Sequence, residues 1–128
     1  MSTKNFSIKT DPMIQCPCCK RGDFTLGMYI LLQSIRTDLD RVITVTAGAR
    51  CWKHQVNIYE DLGLPPVKKS DHLMNDDEEC NGADLVVPGM TPKEVYTYLI
   101  SRPDANLLAI GLYSWGIHLG LRGKPARW

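Results

Sequence analysis

The chain has 128 residues, 44% of them hydrophobic and 23% charged, which suits one domain able to bury its own core. Fifteen basic and 14 acidic residues leave a formal net charge of +1, so no bulk field points to nucleic acid or an anionic membrane as a partner. No apolar run approaches the roughly 20 residues of a membrane span. Met1 to Gln15 is polar and lacks the apolar stretch of a signal peptide. Synthesis in the cytoplasm is therefore expected, with any action outside it depending on another carrier.

Residues 1–15 read as an extended, polar lead-in, and 16–128 as a single domain. Asp23 is expected to cap a first helix over about 24–38, with Leu26, Met28, Ile30, Leu31 and Ile35 at helical spacing. Val42 to Thr46 alternates, is β-branched, and predicts a strand ended by Gly48. A second helix over 52–62 is stopped by Gly63 and the Pro65-Pro66 pair. Ala83 to Val87 predicts a short strand. Thr91, with Pro92 next and Glu94 three residues on, opens a third helix running to about Ser101. Leu107 to Tyr113 and Ile117 to Leu121 form a hairpin about Ser114-Trp115-Gly116. The order predicts an α+β fold, a small antiparallel sheet with helices packed on one face.

Between the second helix and the 83–87 strand lies a long polar segment, Lys68 to Asn81, rich in acid at Asp76, Asp77, Glu78 and Glu79. Such a loop can build a site beside a strand, or be solvated and nothing more. The three histidines are His54, His72 and His118. His118 falls inside an apolar strand, where an unpartnered imidazole would be costly, and His72 precedes a strand that carries Asp84. Two imidazoles and one carboxylate make a donor set that suits zinc with one position left open. The competing reading is two ordinary histidines, one in the core and one on the surface.

The segments SDHLMNDDEECNGADLVV and AIGLYSWGIHLGLRGKPARW resemble the two signature blocks of the zinc D-Ala-D-Ala carboxypeptidases and phage L-alanyl-D-glutamate endopeptidases, a group sharing its metal-binding fold with hedgehog signalling domains. The first block matches at Ser70, His72, Gly82, Ala83 and Asp84, and the second at Gly111, Tyr113, His118 and Arg122. Upstream, TAGARCWKHQVNIY is similar to the family's segment at Arg50, Gln55 and Tyr59. The resemblance spans roughly residues 14–128. It implies a zinc peptidase acting on peptidoglycan stem peptides, with His72, Asp84 and His118 as ligands. Arg50 would hold a substrate carboxylate or an oxyanion, and Ser70, Gln55 and Tyr113 would contact substrate. Each has a plainer reading: a surface ion pair for Arg50, a turn for Ser70, packing for Tyr113 and Trp115. The product would act on the cell wall after lysis or export, or within a virion beside other phage structural proteins.

Two positions depart from the family pattern. Eleven residues separate His72 from Asp84 where many members have six, the excess falling in the acidic stretch. The acid that usually lies three residues before or two after the third ligand is replaced by Trp115 and Gly120, neither of which can accept a proton. A base would then come from Asp76, Asp77, Glu78 or Glu79, with Asp71 a poorer choice because it adjoins His72. Otherwise the domain is a non-catalytic binding or virion component, or a metal-free globular domain. Five cysteines complete the inventory: Cys16, Cys18 and Cys19 crowded together, with Cys51 and Cys80 far off. They admit a second zinc, a disulfide or simple burial, without the paired C-x-x-C spacing that would decide.

Overall fold

A computed structural model describes residues 2–128. In chain order the elements are β1 (Asp23–Phe24), α1 (Leu26–Leu39), β2 (Thr44–Ala47), α2 (Trp52–Asp61), β3 (Glu79–Cys80), β4 (Gly82–Val86), α3 (Pro92–Ile100), β5 (Leu108–Leu112), β6 (Ile117–Leu121) and β7 (Ala126–Arg127). The main sheet runs β2-β4-β6-β5-β7, antiparallel except for the parallel β5–β7 pair. A small parallel pair, β1–β3, lies beside it. The fold is thus α+β with a mixed sheet, and β4 and β6 occupy its middle.

Side chains alternate across these strands. Ala83, Leu85, Leu108, Ile110, Ile117 and Leu119 point to one side and join the core, against Met28, Leu32 and Ile35 of α1 and Val95 and Leu99 of α3. The opposite side of the same strands carries Gly82, Asp84, Gly111, His118 and Gly120. That alternation sends the apolar residues to the helices and leaves the polar ones beneath an open cleft. Helix α2 is not part of the helical layer; its Ile58 and Tyr59 form one wall of the cleft.

Several local expectations are corrected. Thr25, not Asp23, caps α1: its Oγ1 accepts from Met28 N at 3.2 Å. Asp23 lies in β1 instead and accepts a hydrogen bond from the Tyr29 hydroxyl. The lead-in, expected to be extended, turns and packs. Phe6 and Ile14 are core residues, and Pro12–Ile14 forms a 3-10 turn whose Ile14 carbonyl receives Ala49 N at 2.8 Å. At α3 the capping box is complete, with Glu94 N to Thr91 Oγ1 at 3.2 Å and Thr91 N to Glu94 Oε1 at 2.9 Å. Downstream of the hairpin, the chain returns as β7, which sequence periodicity over two residues could not reveal.

Candidate metal centre

The site begins with register. Asp84 on β4 and His118 on β6 are direct cross-strand partners at the centre of the sheet, on its glycine-bearing face. His72 arrives from the long connection. Ser70 Oγ accepts from His72 N at 3.2 Å and Ser70 O from Leu73 N at 3.1 Å, which turns the chain there. Arg50 N then donates to His72 O at 2.7 Å, and Met74 N to Arg50 O at 3.2 Å, a parallel bridge that fixes the turn beside the start of α2.

Three ligand atoms converge. His72 Nε2 and His118 Nδ1 each lie 3.1 Å from Asp84 Oδ1, and 3.2 Å from one another. Ligands at zinc-like distances of about 2.0–2.1 Å in a tetrahedron stand roughly 3.3 Å apart, so the triangle has the size of a metal's coordination face. The other two ring nitrogens are already engaged. His72 Nδ1 donates to the Gly48 carbonyl at 2.8 Å, and His118 Nε2 donates to Asp71 Oδ2 at 2.9 Å. Both acceptors lack a proton, so each neutral ring turns a lone pair toward the triangle. With both rings neutral, two lone pairs and a carboxylate oxygen would face each other. A cation relieves that repulsion: a metal, or in its absence a proton held within the triangle. Burial opposes a charge on His118, but hydrogen bonds to Asp71 and Asp84 outweigh it and raise its pKa. Burial likewise opposes ionising Asp84, yet the two imidazoles hold its pKa far below the carboxylate range. The group His72, Asp84 and His118 can therefore hold a metal ion.

Asp71 supplies the outer layer. It accepts from His118 with Oδ2 and from Arg122 Nε at 2.9 Å with Oδ1 and 3.1 Å with Oδ2. Burial raises its pKa, but His118 and Arg122 more than offset this and keep it ionised. Room for Asp71 comes from missing side chains. A Cβ at Gly82 would lie 2.5 Å from Asp71 Cβ, and a Cβ at Gly120 would overlap the Asp71 carboxylate itself. Gly111, the other cross-strand neighbour of His118, makes the same allowance for Trp128, whose Nε1 would be 2.5 Å from a Cβ there. Trp128 covers His118 with ring centroids 5.3 Å apart and donates from Nε1 to the Tyr113 hydroxyl at 2.6 Å.

The cleft over the triangle has a volume of about 290 Å³. Arg50 is inside it, Nη2 lying 3.6 Å from Asp84 Oδ2 and Nη1 donating to Gln55 Oε1 at 3.3 Å. Gln55 is fully buried and donates to Val67 O at 3.0 Å, so its amide bridges Arg50 to the loop after α2. Ser70 and Tyr113 line the cleft, with Trp115 stacked on Tyr113 at 5.0 Å. The acids at 76–79 do not. Asn75 Oδ1 accepts from Asp77 N and Glu79 N, Glu78 pairs with Arg21 at 2.7 Å, and Glu79 belongs to β3. The enlarged segment is spent on a tight turn against β1. The carboxylate that reaches the site beside Asp84 is Asp71, which the sequence offered only as a poorer base, and Trp128 was not anticipated. Asp71 alternates with Ser70 and His72 along an irregular segment, so only the facing glycines Gly82 and Gly120 hinted that a side chain would lie there. His54 stands on α2, outside the triangle.

No protein-family profile, no curated protein and no solved structure matches the chain.

Proposed function

We propose that the chain is a zinc-dependent peptidase acting on peptidoglycan stem peptides. The observation that carries this reading is the convergence of His72 Nε2, Asp84 Oδ1 and His118 Nδ1 at the floor of a cleft that also holds Arg50. Zinc at these three residues would polarise a scissile carbonyl and bring the pKa of a water down to about 7. Arg50, braced by Gln55, would hold a carboxylate or a developing oxyanion through charge-assisted hydrogen bonds. Lys69 and Arg122 add positive charge to the walls, while Tyr59, Tyr113, Trp115 and Trp128 offer apolar faces. That combination suits a short peptide bearing several carboxylates. Ser70 keeps the turn that presents His72. Asp71 keeps the proton on His118 Nε2 and so keeps the Nδ1 lone pair aimed inward.

A second reading is a non-catalytic cell-wall-binding or virion domain, whose partners are neighbouring phage structural proteins. One observation favours it: the two carboxylates lining the cleft, Asp71 and Asp84, are both already engaged by imidazole and guanidinium groups. A hydrolase lacking a free general base forfeits about 10²–10⁴-fold in rate. Zinc-loaded protein incubated with purified peptidoglycan and soluble stem peptides, with products read by mass spectrometry, separates the two. Chelator-sensitive fragments that vanish in His118→Ala support the peptidase. Retention on peptidoglycan without fragments supports the binding domain. Neither cleavage nor retention removes peptidoglycan as the target.

A further inference from the structure

A second cluster of ligand-bearing side chains lies outside the cleft. Cys16, Cys19 and Cys51 bring their sulfur atoms within 4.8 Å of one another, although the first two belong to the N-terminal segment and the third caps α2. Cys16 Sγ and Cys51 Sγ are 3.7 Å apart. A disulfide needs about 2.05 Å, whereas two thiolates on one zinc, each about 2.3 Å from it, are separated by roughly 3.8 Å. Cys18, exposed on the same knuckle, lies near Cys51 but is not one of the three. Cys80 does not; it is buried elsewhere and donates its thiol hydrogen to Gly82 O at 3.5 Å.

Two of these sulfurs have a backbone donor or a cation beside them. Cys51 is the N-cap of a ten-residue helix, with His54 N donating to its Sγ at 3.4 Å. The Arg21 guanidinium lies beside Cys19, and desolvation with crowding by Cys51 and Cys16 pushes the Cys18 thiol up despite nearby Lys53. The backbone closes around the first ligand as a tight knuckle, Cys16 N donating to Arg21 O and Lys20 N to Cys16 O, both at 2.8 Å, with Lys20 at φ 60°. Sulfurs from two distant parts of the chain are thus brought together beside a helix N-terminus and a guanidinium.

We propose that Cys16, Cys19 and Cys51, with Cys18 as the fourth sulfur, form a separate structural thiolate site for zinc. Its place in the fold gives it a task. The segment it would anchor includes Ile14, whose carbonyl receives Ala49 N at 2.8 Å. Next along are Gly48, which holds His72 Nδ1, and Arg50. A metal on these sulfurs would pin the strut that orients a histidine and an arginine of the cleft without touching substrate.

Cobalt(II) distinguishes the sites, because only thiolate ligands give an intense near-ultraviolet charge-transfer band. The test loads reduced full-length protein with cobalt and, in parallel, measures bound zinc per chain by elemental analysis. The expected result is about two zinc equivalents per chain. The thiolate band should appear in wild type and in His118→Ala, drop sharply in Cys51→Ser and Cys16→Ser, and be unchanged in Cys80→Ser. If the serine variants fail to fold, the spectrum of His118→Ala alone decides, since its cleft triangle is broken and any strong thiolate band must come from the cysteines. One zinc per chain with no thiolate band overturns the proposal while leaving the cleft metal intact. So does a Cys16–Cys51 disulfide found by mass spectrometry in protein purified under reducing conditions. Loss of the cleft metal with the band retained would overturn the peptidase reading and leave this one standing.

Discussion

The two faces of the central sheet are made by the same strands and do opposite work. On one, Leu85, Ile110, Ile117 and Leu119 are buried against α1 and α3, and each contributes by displacing water. On the other, Asp84 and His118 stand between Gly82, Gly111 and Gly120, and the glycines contribute by what they leave open. A strand of period two can therefore carry a stability requirement and a functional requirement in adjacent residues with little interference. The lesson is testable, because damage to one face should register in a different measurement from damage to the other.

Leu119→Ala should cost about 2–5 kcal/mol of unfolding free energy, since a fully buried side chain leaves a cavity behind. Zinc affinity per folded molecule should change little, because Leu119 points away from its neighbours His118 and Gly120. Calorimetry and metal titration on the same sample check both halves. Retention of the wild-type melting temperature would show that this face is not the stabilising one.

His118→Ala should do the reverse. Wild type saturated with zinc at a thousandfold excess over Kd gains about 4 kcal/mol by linkage, which a chelator removes. The variant should lose the cleft's share of that gain and keep only what the cysteine site contributes, and its melting temperature in chelator should lie near that of chelated wild type. Equal zinc stabilisation in both proteins would remove His118 from the ligand set.

Asp71→Asn keeps the shape of the outer layer but loses its charge. Zinc affinity should fall about 10–100-fold, the usual range for a partner that orients a metal-bound histidine. Gly120→Asp probes the same space from the other side. It restores an acid two residues after His118, yet its side chain must collide with Asp71. Alone it should lose affinity as Asp71→Asn does; combined with Asp71→Ser it should recover. Additive losses in the double variant would show that the two positions do not share one pocket.

The smallest effect belongs to the helical layer. Hydrogen bonding from Thr91 lowers the Glu94 pKa below 4.5. A depressed carboxyl stabilises the fold above its unfolded pKa and loses that contribution as pH falls through the folded value. Wild type should thus lose slightly more stability than Glu94→Gln between about pH 5 and 3. Parallel curves for the two proteins would mean the capping box adds nothing measurable in solution.

The helical layer and the hairpin were legible because their signals are local: Thr91, Pro92 and Glu94 fall within four residues, and the 108–121 hairpin closes on its own turn. The metal triangle was legible as a set of donors, since few residue types can serve and His118 sat where an imidazole needed a reason. Its outer layer was not. Asp71 matters because β4 and β6 pair Gly82 with Gly120 and leave a gap, a register relation invisible along the chain. The acids at 76–79 drew attention by composition but are held by a turn around Asn75. Thr25 and Asp23 are both competent caps. The choice fell to the β1–β3 pairing, which draws Asp23 into a strand.

The glycine stripe has a consequence for inheritance. Every missense change at codons 82, 111 or 120 adds at least a carbon where Asp71 or Trp128 already lies. These positions offer no gradual path; a lineage either keeps the hydrogen atom or rebuilds the neighbour in the same step. In a saturation scan scored for metal retention, they should be as intolerant as the ligands themselves, although they possess no functional group. Positions without chemistry would then mark the outline of the site as sharply as those that have it.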